Sequence, residues 1–101
     1  MRVRAAAGRI VGMSSAHGAV LTFETFPPRN GVAPATRLRG GHDTLLRVIE
    51  GAVVLRIGGR ERVLTEEAEA RISAGTAHSI GSAGDREARV VQHFRAVEAS
   101  L

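Results

Sequence analysis

Residues 42–78 read HDTLLRVIEGAVVLRIGGRERVLTEEAEARISAGTAH, and the fold is decided in this stretch. Short apolar runs alternate with turn signals, and a histidine stands at each end. In residues 44–50, Thr44, Leu46 and Val48 share one face and Leu45, Arg47 and Ile49 the other, the period of two that a pleated strand imposes. Apolar side chains on both faces predict a central strand covered on both sides. Glu50-Gly51 closes that strand, and residues 52–57 begin the next. Gly58-Gly59 supplies the positive φ angles of a two-residue hairpin, which returns the chain through residues 60–65. Glu66-Glu67 marks a further turn, and Ala74-Gly75 a bend between residues 70–73 and 77–80.

Outward from this centre the same pattern continues. Residues 17–26, HGAVLTFETF, alternate with Leu21 and Phe23 on one face and Thr22 and Glu24 on the other. The apolar pair is expected to face inward, leaving Glu24 outside. Pro27-Pro28 ends this strand, because proline cannot donate to a ladder. Residues 28–41 form a long connection with a short strand near 36–39. The last strand covers residues 87–95, with Ala88, Val90, Gln92 and Phe94 on its apolar face and Arg89, His93 and Arg95 opposite. Residues 1–16, rich in Arg, Ala, Gly and Ser, are expected to form an arm or an edge strand, and residues 17–101 a single barrel domain. No segment shows sustained helical periodicity, and residues 97–101 add at most one helical turn. About eight short strands with regular turn signals predict an all-β barrel or double-sheet jelly roll.

Composition narrows the chemistry. At 101 residues the chain holds one core, and 44% hydrophobic residues are enough to pack it. There is no cysteine, which excludes disulfides, thiolate metal sites and a cysteine nucleophile and fits a reducing cytoplasm. All 14 basic residues are arginine, so lysine chemistry is excluded as well. The net charge of +4 admits nucleic acid on charge alone. Without tyrosine or tryptophan there is little to stack bases on, however, and an arginine-rich solvated surface is the better account, with no nucleic-acid partner expected. The apolar run of MRVRAAAGRIVGM is too short for a signal peptide, and nothing approaches a membrane span.

From about residue 21 to 94 the order of strands and turns resembles the cupin family, a small β-barrel built around two motifs. The resemblance implies a double-stranded β-helix and, in most members, a metal held by two histidines in H-x-H, a following glutamate, and a histidine of the second motif. Aligned on Ile49-Glu50-Gly51, the glutamate falls on Thr44 and the two histidines on Gly40 and Leu38, none of which ligates as the family residue does. The second motif, G-x5-P-x-G-x2-H-x3-N in the family, keeps Gly75 and His78 but has Glu67, Ser73 and Ser82 at its other marked positions. Only His78 carries over as a ligand. His42 lies two residues before Thr44, and strand parity puts residues 38, 40, 42 and 44 on one face.

A divalent-metal site needs three or four N or O donors at about 2.0–2.2 Å. His42 and His78 are the candidates. Gln92 faces inward as a weak amide donor, while His93 and Glu24 fall on the outer faces of their strands. The cofactor expected is therefore none, or a weakly held divalent transition metal. His78 is expected on the wall of the barrel's only sizeable pocket, with His42 across from it and Leu38, Thr44, Leu46 and Gln92 completing the lining. Three functions fit: a small-molecule-binding barrel with a lost or altered metal site, an enzyme of dioxygenase or isomerase type using a metal or a histidine base, and a non-catalytic dimeric module. The doubly apolar strand 44–50 and the resemblance both predict a homodimer. A scaffold of this kind hosts many functions, so the fold does not select among them.

Overall fold

Alternation produces strands throughout. The computed structural model describes residues 4–6, 9–11, 13–16, 19–29 and 34–97. Ten strands run Arg4–Ala6 (β1), Arg9–Val11 (β2), Met13–Ala16 (β3), Ala19–Phe26 (β4), His42–Glu50 (β5), Val53–Ile57 (β6), Arg60–Leu64 (β7), Glu69–Ile72 (β8), His78–Ser82 (β9) and Ala88–Ala96 (β10). Among the described residues there is no helix, hence none long and apolar enough to cross a membrane. A five-stranded sheet has the order β3-β4-β10-β5-β8, a three-stranded sheet the order β7-β6-β9, and β1 pairs with β2. Every pairing is antiparallel. The architecture is an all-β jelly roll of two facing sheets. Residues 13–16 form an edge strand paired with β4, whereas His17 and residues 98–101 lie outside the described residues.

Phe26, Leu46, Val48, Ala70, Ile72, Ala88 and Val90 from the large sheet meet Val53, Leu55, Leu64 and Ile80 from the small one in a single core. The tight turns are where the sequence places them. Gly58 and Gly59 have φ of 57° and 80°, and Gly51, at the end of β5, has φ of 77°. A Cβ at Gly51 would approach the Glu87 carbonyl oxygen to 2.7 Å, so only glycine fits there.

Three expectations are corrected. On β4 the faces are reversed: Thr22 and Glu24 are buried, while Phe23 is 46% exposed. Apolarity alone would turn Leu21 and Phe23 inward, but the Glu24 carboxylate has partners inside the barrel and so tolerates burial. β5 is covered on one face only, since Leu45, Arg47 and Ile49 are exposed within the chain. The short strand expected near residues 36–39 is a single bridge between Arg37 and His78, followed by a bend at Gly40 and Gly41. That bend interrupts the alternation, so parity cannot be carried from His42 back to Leu38.

Candidate functional site

The site begins at the bend before β9. Gly75 takes φ of 79°, and its N–H donates to the Arg39 carbonyl at 2.7 Å. The Ala74 N–H donates to Asp43 Oδ1 at 2.7 Å, tying the bend to the start of β5. Asp43 is thus spent on the bend. His78 then opens β9 and exchanges two backbone hydrogen bonds with Arg37, at 2.6 and 2.9 Å. Residues paired in this way project to the same side, so Arg37 and His78 both turn inward.

His78 is 5% exposed. Its Nδ1 lies 3.0 Å from the Thr76 carbonyl oxygen, which can only accept. The proton of the neutral ring therefore sits on Nδ1, and Nε2 carries the lone pair.

On the facing sheet, Glu24 of β4 is 4% exposed. Arg37 grips it with both arms: Nη1 donates to Oε1 at 2.7 Å, and Nη2 donates to Oε2. Gln92 of β10 adds Nε2–H to Oε1 at 2.8 Å. A carboxylate that accepts charge-assisted bonds on both oxygens can be buried. Arg37 also lies over the Phe26 ring, and Arg39 lies over Phe94, 3.8 Å from its centroid.

These groups surround a cavity of about 580 Å³ lined by Val20, Thr22, Glu24, Arg37, Leu38, Arg39, His42, His78, Gln92 and Phe94. Among the residues singled out from the sequence, Leu38, His42, His78 and Gln92 line it. Leu38 does so from the rim, at 64% exposure. Thr44 and Leu46 are buried outside its lining, Leu46 within the apolar core. Nor is the cavity alone: a second, of about 410 Å³, lies beside Gly51, Thr65, Glu66 and Asp85. Sequence reasoning missed Val20, Thr22, Glu24, Arg37, Arg39 and Phe94 as lining residues.

Could this set hold a metal? Among the described residues no three His, Cys, Asp or Glu side chains are grouped to do so. Among the described lining residues the remaining carboxylate is Glu24, whose two oxygens are bonded to Arg37 and whose Oε1 also accepts from Gln92. The donor set does not fit a tightly held metal. At the other former motif positions, Ser82 donates to the Arg86 carbonyl at 2.7 Å, and Glu67 keeps a positive φ of 69°.

No protein-family model matches the chain, and no curated protein matches it. Solved structures do. KdgF from Halomonas sp. superposes with a TM-score of 0.80 at 15% identity, over 97% of this chain and 88% of that one. A cupin superfamily protein from Desulfitobacterium hafniense matches with a TM-score of 0.69 at 18% identity, over 83% and 72%. The cupin domain of Cnp3 from Schizosaccharomyces pombe matches with a TM-score of 0.76 at 9% identity, over 87% of this chain and 61% of that one. This chain thus spans less than two thirds of the Cnp3 chain. The fold is that of the cupins.

Proposed function

We propose that this cupin-fold barrel binds a small molecule in the cavity between its sheets, with its metal site altered into a hydrogen-bonding one. The observation that carries the reading is the Arg37–Glu24–Gln92 network facing His42 and His78 across about 580 Å³ of space, within the size range of small-molecule sites. Arg37 supplies internally the positive charge that balances a buried carboxylate, a task that a cation would otherwise perform. His78, oriented by Thr76, presents an acceptor nitrogen.

A ligand screen by thermal shift tests this directly. Hits are expected for the wild type, and His78→Ala is expected to weaken them by about 1–3 kcal/mol, the cost of leaving a buried partner unpaired. Elemental analysis of protein purified without added metal should find well under one equivalent of transition metal. A stoichiometric metal that is lost in His78→Ala would overturn the reading.

One observation favours a second reading, a metal-free acid–base enzyme: the fixed Nδ1 tautomer leaves Nε2 able to take a proton. Substrate turnover abolished in His78→Ala at unchanged stability would establish it. The outer face of the large sheet supports self-association as well. Leu21, His93 and Leu45 form one cross-strand row there, with Phe23 and Val91 beside it. A homodimer through this face should become monomeric in Phe23→Arg by light scattering, and a wild type monomeric at tens of micromolar would exclude it.

A further inference from the structure

The charges around the cavity do not cancel. Among its described lining residues Arg37 and Arg39 contribute +2 and Glu24 contributes −1, leaving +1 with the histidines counted as uncharged. The two arginines are also in different states. Arg37 is committed to Glu24 through both terminal nitrogens. Arg39 has no carboxylate partner among the described residues, and its guanidinium lies over the Phe94 ring. Stacking occupies one face of a guanidinium and leaves the in-plane N–H donors open, the arrangement that suits a carboxylate fork. The root of this side chain is fixed too, because the Arg39 carbonyl accepts from Gly75 in the bend that delivers His78. The cation and the acceptor nitrogen are thus positioned by one short piece of backbone.

We propose that the occupant of the cavity is a small hydroxycarboxylate, its carboxylate held by Arg39 at the rim and a hydroxyl donating to His78 Nε2 within. This rests on the small-molecule reading above and adds the ligand's chemical class. A monoanion matches the charge of +1 on the described lining, whereas a cation would be repelled by Arg39 and a neutral polyol would gain no charge-assisted hydrogen bond from it. The apolar rim and walls at Leu38, Val20 and Phe94 suit the carbon frame between the two polar ends.

The test uses four six-carbon probes with one frame and different ends: gluconate, sorbitol, glucamine and sorbitol 6-phosphate. Binding to the full chain is measured by calorimetry, and to Arg39→Gln, which removes the charge while keeping a planar polar group. Arg39 is exposed, so the fold should survive the change; an unchanged thermal midpoint checks this. Gluconate should bind the wild type, lose about tenfold or more in Arg39→Gln, and weaken with added salt, while sorbitol and glucamine bind far more weakly. Equal binding of sorbitol, or gluconate binding indifferent to Arg39→Gln, overturns the carboxylate assignment and leaves the small-molecule reading standing. Tighter binding of sorbitol 6-phosphate than of gluconate overturns the monoanion. If all probes fail while the thermal-shift screen yields other ligands, the assignment falls alone. If that screen is also empty, both fall together.

Discussion

The interior of this barrel has two ends built from the same strands. On β5 the inward residues pass from Val48 and Leu46 to Thr44 and His42, and on β10 from Ala88 and Val90 to Gln92. On β4 they pass from Phe26 to Glu24 and Thr22, and on β9 from Ile80 to His78. One end is apolar and buried, with Leu46, Val48, Val53 and Val90 unexposed. The other carries polar groups around a cavity, with Arg37, Glu24 and Gln92 bonded to one another. Burial at the first end is non-directional and needs only apolar surface. At the second, each buried polar atom must meet a specific partner. The difference teaches that the first end holds the fold, while the second carries the polar groups on which the proposed ligand site rests.

The largest effect should come from the apolar end. Leu46→Ala empties a fully buried site next to Val48 and Val90 and is expected to cost about 2–5 kcal/mol in denaturant unfolding. If the two ends have separate tasks, this variant should keep ligand affinity at temperatures where it is folded. Affinity lost in proportion to stability would break the comparison.

The next effect belongs to the polar end. Arg37→Met removes the two-armed hydrogen bond from the buried Glu24 carboxylate while Gln92 stays bonded to Oε1, and removing one partner of a buried pair costs up to about 3–5 kcal/mol. Arg37 is 26% exposed, so solvent reaches the pair and about 2–3 kcal/mol is the expected loss. Adding Glu24→Gln removes the buried charge and should restore most of it. A double mutant no more stable than Arg37→Met alone would show that Glu24 is satisfied without Arg37.

The two ends were also unequally legible in the sequence. The apolar end could be read from the alternation of residues 44–57, the Gly58-Gly59 turn and the parity of Val90 and Gln92, because local periodicity already encodes which face is buried. His78 could be placed from the glycine bend before it. The polar network could not. Its bonds join Glu24 to Arg37 across 13 positions and to Gln92 across 68, and no local pattern carries such pairings. On β4 the local pattern pointed the wrong way, since Leu21 and Phe23 are the more apolar residues and yet Phe23 faces out. A strand with its polar residues inside and apolar ones outside departs from the usual order on both faces. The signal available was a glutamate between Thr22 and Thr25 in a strand otherwise suited to burial, with Arg37 close enough in sequence to reach it.

A smaller effect tests how the apolar end is closed. Glu67 has φ of 69° where the second motif resembles a glycine position, and its N–H donates to the Val48 carbonyl at 2.9 Å. A non-glycine residue in this region bears a cost of about 1–2 kcal/mol, partly offset in Glu67→Gly by the greater freedom of the unfolded chain. The exposed ion pair to Arg47, at 3.5 Å, contributes little. Glu67→Gly should therefore stabilise by about 0.5–1 kcal/mol, seen as a higher thermal midpoint with unchanged ligand affinity. A lower midpoint would mean that the Glu67 side chain holds the turn.

The smallest effect comes from repeating the ion-pair chemistry outside the barrel. Arg56 and Glu61 face each other across the β6–β7 hairpin and are bonded as Arg37 and Glu24 are, but about half of each side chain is in water. The hydrogen bond from Arg56, followed by its charge, holds the Glu61 carboxyl below its usual 4.5. A lowered carboxylate value means that any stability from this pair is present above 4.5 and is lost as pH falls through the lowered value. In water the attraction is screened and two long side chains must be ordered to gain it. Glu61→Gln should leave the thermal midpoint at pH 7 unchanged within error, and should flatten only the most acidic part of the stability profile. Glu24→Gln, by contrast, is expected to disturb ligand binding at neutral pH, because Arg37 would then reach into the cavity as an unpaired cation. If Glu61→Gln instead proved as costly as breaking the Arg37–Glu24 pair, burial would not be what separates the two, and the division of the barrel into a packed end and a chemical end would lose its electrostatic basis.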